Sequence, residues 1–138
     1  MSVQVRHSVL FNRIVLSAAT LLFTLIGIRY VLAPLAEAAP HQISLGSPEA
    51  ITIMRVTGSV FLAIAFVLVA CVVSQPRIIF GTGLLATVIV VVTVVRVFGL
   101  IVDGAAPFTI QVLKPELVLV VLSSLAFLVE RRRLKALD

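Results

Sequence analysis

Apolar residues in this chain fall into four long runs, at about 14–31, 51–73, 78–102 and 117–129, divided by proline, glycine and charge. A helix needs roughly 20 apolar residues to cross a bilayer core. With their flanks, the runs predict spanning helices at about 14–33, 48–73, 78–102 and 115–132. The fourth run is short, but Pro115 and Glu116 suit a first helical turn, and Arg131, Arg132 and Arg133 can snorkel from its far end. For the second, Ser47 is the expected N-cap, with Pro48 at the first helical position and Glu49 in the first turn. The valine-rich stretch 88–95 would read as a strand in water. In lipid an unpaired backbone is too costly, so a span of this length is a helix.

Composition agrees with this pattern. Of 138 residues 61% are apolar and 12% charged, and the mean hydropathy is +1.24. A water-soluble domain carries about twice that share of charge. The expected fold is an all-α membrane protein, a four-transmembrane-helix bundle forming one integral membrane domain over residues 1–138. A cleaved leader is the competing reading of the first run, because Ala36-Glu37-Ala38 resembles a cleavage site. The run exceeds a leader's apolar core, however, and Arg29 stands between it and that site. The single cysteine, Cys71, excludes an internal disulfide.

The charges are distributed unevenly. One side of the proposed membrane holds Arg6, Arg13, Arg77, Arg131, Arg132, Arg133 and Lys135 against Glu130 and Asp138. The other holds Arg29, Arg55, Arg96 and Lys114 against Glu37, Glu49, Asp103 and Glu116. The positive-inside rule then makes both termini and the 74–77 turn cytoplasmic, in a multi-pass protein of the cell membrane, with outward loops at 34–47 and 103–114. Arg131, Arg132, Arg133 and Lys135, directly after a span, are the expected contact for anionic lipids.

Set on itself at an offset of 67, the chain matches Arg29 with Arg96, Ala38-Ala39-Pro40 with Ala105-Ala106-Pro107, and Pro48-Glu49 with Pro115-Glu116. Nine of 31 positions agree. Two tandem hairpins, 12–65 and 79–132, related by a pseudo-twofold axis along the membrane normal, are the expectation.

Arg96 and Gly99, Asp103-Gly104 followed by Pro107, Pro115-Glu116-Leu117 and the closing Glu130-Arg131-Arg132-Arg133 form a recognisable order. It resembles domain-of-unknown-function family 4345, small bacterial four-helix membrane proteins, over about residues 10–133. An additional alanine separates Gly104 from Pro107 here. The resemblance implies a four-helix integral membrane protein and carries no established activity.

Within the spans, Arg29, Arg55 and Arg96 fall in one layer about 8–10 Å below the outer helix ends, at 1.5 Å per residue. An arginine at mid-membrane costs about 2.5–3.5 kcal/mol, so such residues face protein or water and find partners. Glu49, Asp103 and Glu116 are the available carboxylates. Two readings follow: interhelical ion pairs that fix helix order, which the matching numbers of charges favour, or an outer-leaflet pocket for an anion, carboxylate or lipid headgroup. Gly58, Gly81 and Gly83 suit close helix packing. Thr87, Thr93, Ser123 and Ser124 are expected to bond backbone carbonyls one turn back.

His7 and His41 lie on opposite sides of the membrane, no catalytic set converges, and no metal, cofactor or nucleic-acid partner is expected. The expected function is that of a non-enzymatic accessory or binding subunit, with membrane lipids and a further membrane protein or a second copy as partners. A small transporter or channel acting as an oligomer is the alternative, and a membrane enzyme the third. Proton-coupled export is disfavoured on the expectation that all six acids lie at or beyond the helix ends.

Overall fold

Four of the helices in the computed structural model, which describes residues 3–41 and 43–136, are long and apolar enough to cross a membrane, and the described residues include no strand. They are α1 (Val3–Leu32), α3 (Pro48–Val73), α4 (Ile78–Val102) and α5 (Pro107–Lys135); the short α2 (Pro34–Ala38) follows α1. Gln42 of the loop expected at 34–47 and Asp138 of the charge count lie outside the described residues.

Two helices keep their predicted bounds, and local chemistry shows why. Pro48 opens α3, and the Ser47 hydroxyl oxygen accepts the Ala50 N–H at 3.2 Å, satisfying one of the donors that a helix start leaves free. Between α3 and α4 the chain turns in a single 3₁₀ turn, with the Arg77 N–H donating to the Ser74 carbonyl at 3.0 Å.

The outer two helices begin earlier than predicted. α1 starts at Val3 rather than near 14, because Asn12 and Arg13 interrupt the hydropathy without supplying a glycine or proline to stop a helix. α5 starts at Pro107 rather than 115. Pro107 occupies a first-turn position, where its missing N–H costs nothing. The following 108–114 stretch contains no glycine or serine, so the helix continues through Pro115. Pro115 has no N–H to give the Gln111 carbonyl, a loss tolerated in membrane helices. The loop expected at 103–114 therefore shrinks to 103–106, turning at Gly104 with φ +95°.

The chain divides into two compact units. In the unit of residues 17–70, α1 and α3 cross closely at Gly27 and Gly58. A Cβ on Gly27 would lie 2.8 Å from the Gly58 carbonyl oxygen, and one on Gly58 would lie 2.9 Å from that of Gly27. Small residues allow such an approach between membrane helices. Phe61 packs beside it, 5.7 Å from Phe23 and edge-on to Tyr30 at 6.0 Å.

The other unit, residues 1–16 and 71–138, holds the start of α1, the end of α3, α4 and α5. Leu16, Cys71, Ile78, Leu85, Ile89 and Ala126 are buried in it. Gly81 lets the end of α3 come close: a Cβ there would sit 2.6 Å from the Cys71 Cβ and 3.3 Å from Leu16 Cδ1.

Candidate functional site

On α5 the buried positions are Glu116, Ser123, Ala126, Glu130 and Arg133. Their spacings of seven, three, four and three mark one stripe of the helix, as at a helix–helix seam. The stripe is polar or small at every position, the reverse of a soluble core helix. In lipid the driving force reverses too: apolar side chains lose nothing by facing acyl chains, so the protein interior takes the polar groups that need partners.

Near the start of the stripe, Arg96 of α4 meets Glu116. Arg96 Nε donates to Glu116 Oε2 at 2.8 Å and Nη2 to Oε1 at 2.7 Å, a two-pronged pair. The side chains are 24% and 11% exposed. Planar fork against planar carboxylate is the strongest geometry available to this pair, and losing one partner of a buried pair costs about 3–5 kcal/mol. Arg96 lies six residues before the end of α4, and Glu116 nine residues after Pro107.

At the other end of the stripe, Glu130 is fully buried and held from two helices. Asn12 of α1 donates through Nδ2 to Glu130 Oε2 at 2.8 Å. Arg133, one turn on, donates through Nε to the same oxygen at 3.0 Å and through Nη2 to Oε1. Two buried polar atoms of α1 at this end have no partner, Asn12 Oδ1 and Arg13 Nε.

Several sequence expectations change here. Glu116 and Glu130 lie inside a helix, not at or beyond the helix ends, so the stated ground for disfavouring proton coupling is corrected. The physical cause is the longer α5. Arg133 is not an exposed lipid contact: it is buried against Glu130, while Arg131, Arg132 and Lys135 remain exposed. Thr93 does not bond a carbonyl one turn back, its buried hydroxyl having no partner. Ser123 does bond backwards, to the Val120 carbonyl at 3.3 Å.

The remaining members of the arginine layer, Arg29 and Arg55, lie in the 17–70 unit, and neither has a buried ion-pair partner among the described residues. Arg29, its side chain 69% exposed, is 3.8 Å from Glu37, a carboxylate that the sequence reading left out of the cluster. Arg55 and Glu49 are exposed and have no ion pair among the described residues. Asp103, which caps α4, is exposed too and lies beside Gly99 of that helix. Asn12 was missed altogether. The available signal was an asparagine inside a segment that, by the charge count, begins a span.

No curated protein and no solved structure matches the chain. A family model does, over residues 11–127, a stretch that includes Asn12, Arg96, Asp103 and Glu116 and stops short of Glu130. With four membrane-length helices and most of its length inside that match, the chain belongs to domain-of-unknown-function family 4345.

Proposed function

We propose that this integral membrane protein is a non-enzymatic accessory or binding subunit, whose α4–α5 hairpin is clipped shut by Arg96 and Glu116 so that its outer apolar surface is held rigid for a neighbour. The supporting observation is that these charges are spent on one another. Arg96 gives two hydrogen bonds to Glu116, which leaves that arginine's strongest binding mode occupied. The partner is another membrane protein or a second copy, within a lipid environment. Both termini face the cytoplasm of a cell-membrane protein, on the charge asymmetry of the two sides. Reporter fusions after Asp138 and inside the 74–77 turn test this: cytoplasmic signals from both are expected, and an external signal from either reverses the orientation.

The role itself is tested by purifying the full chain from its native membrane and identifying what accompanies it. A partner present in fixed ratio is expected. A chain that purifies alone and supports solute flux in vesicles would contradict the accessory role. Such a result would favour the second reading, a transporter or channel subunit, which the placement of Glu116 and Glu130 within α5 supports.

A further inference from the structure

At the end of the 1–16 and 71–138 unit where α1 begins and α5 finishes, charge is left over. Leu16, Cys71 and Gly81 form one apolar contact layer, and Phe127 lies against Gly83 beside it. One turn beyond, toward the termini, the residues become polar: Asn12 and Arg13 on α1, Arg77 before α4, and Glu130 and Arg131 on α5. Asn12 bonded to Glu130 fixes the alignment of these helix ends. Glu130 is the one carboxylate among the described residues of this layer, and Arg133 already neutralises it. Arg13, Arg77, Arg131 and Arg132 have no ion pair among the described residues.

Arg77, Arg131 and Arg132 are exposed, but Arg13 is different. Its Nε is buried and has no acceptor, and the neighbouring Asn12, fully buried, has an Oδ1 with no donor. Buried donors and acceptors are almost always partnered, and although the Arg13 side chain is only partly buried, its Nε is shut off from solvent without an acceptor. An arginine on α1 also leans toward the N-terminal end of its helix, that is, toward the membrane surface at this end.

We propose that this end of the unit binds a phosphate group, with Arg13 donating to its oxygens from within, Arg131 and Arg132 closing over it, and Asn12 Oδ1 accepting a hydroxyl beside it. The headgroup of an anionic phospholipid and free phosphate share this chemistry. The site differs from the four cations expected from the sequence: Arg133 and Lys135 are removed and Asn12 and Arg13 are added. It does not depend on the accessory role, whose test reads a protein partner.

The experiment follows thermal unfolding of the full chain in neutral micelles, titrated with phosphatidylglycerol, with phosphatidylcholine or with inorganic phosphate. Selective binding to the folded state raises the midpoint. Phosphatidylglycerol should raise it by on the order of 5 °C, and phosphatidylcholine should leave it unchanged. Arg13→Gln, and separately the double change Arg131→Gln with Arg132→Gln, should remove more than half of the shift. Arg6→Gln, an exposed cation at the same end, should keep it. If inorganic phosphate gives the full shift and lipid adds nothing, the phosphate site stands and its ligand is the free anion. Equal shifts with both lipids, or equal losses from Arg6→Gln and Arg13→Gln, would overturn the proposal in favour of diffuse attraction. Should Arg13→Gln not fold, the exposed double variant decides, and a full shift retained there overturns it.

Discussion

The two stretches that match at an offset of 67 place the same residues in the same order and use them differently. Arg96 is half-buried and grips Glu116 with two hydrogen bonds, whereas its counterpart Arg29 is exposed and reaches only Glu37, at 3.8 Å. Glu49, the counterpart of Glu116, is exposed without an ion pair among the described residues. The difference starts in the loops. After Pro40 the first stretch continues through Ser44, Gly46 and Ser47, which disfavour a helix there and then cap a new one, so α3 starts only at Pro48. After Pro107 the second runs from Phe108 to Lys114 without such residues, and α5 is already formed when it reaches Glu116. A carboxylate in a first turn faces solvent; nine residues inside a helix it faces the neighbouring helix. The arginine and glutamate are therefore necessary for the pair and insufficient for it.

The largest effect should come from Arg96→Gln, which strands Glu116 in a nearly buried position. We expect a loss on the order of 3 kcal/mol in unfolding free energy, measured by denaturant titration in micelles with helix content as the signal. A loss below about 0.5 kcal/mol would place this pair in the same class as Arg29 and Glu37, and the comparison would fail.

Glu130→Gln comes next. Arg133 loses its anion, but it is two residues from the end of α5 and can swing outward, which reduces the expected loss to about 2 kcal/mol. Asn12 can still donate to the glutamine carbonyl. In the first stretch, where no buried ion pair is found among the described residues, the close glycine crossing should matter more than the charge. Gly58→Ala puts a Cβ 2.9 Å from the Gly27 carbonyl oxygen and 2.7 Å from the Tyr30 Cβ, so backbone must shift. A destabilisation of about 1–3 kcal/mol is expected from such overpacking, read in the same titration. Arg29→Gln should be the smallest, within about 0.5 kcal/mol of the parent, as for other exposed ion pairs. A large loss there would show that Arg29 has a partner in the membrane-embedded protein.

Much of this fold could be read from hydropathy. The bounds of α3 and α4 are marked by proline, a serine cap and a tight turn, all of them local signals. The starts of α1 and α5 could not be read that way, because hydropathy reports what lipid accepts and helix formation does not stop where lipid does. Asn12 and Arg13 lower the apolar score of a segment that remains helical, and Pro115 resembles a helix start while lying inside one. The pairing of Arg96 with Glu116 was visible as a possibility among three arginines and three carboxylates. Selecting it required knowing where α5 begins. The Glu130 network was invisible for a similar reason: a basic run after a span reads as a surface, and only the fold shows that Arg133 turns inward.

The central claim is that Arg96 and Glu116 form one closed structural unit, and a double-mutant cycle measures this directly. Arg96→Gln, Glu116→Gln and the double variant are compared with the parent in unfolding free energy. The double variant should recover much of the loss, giving a coupling on the order of 2 kcal/mol. A coupling below about 0.3 kcal/mol, with the two losses simply adding as they do for independent sites, would contradict it.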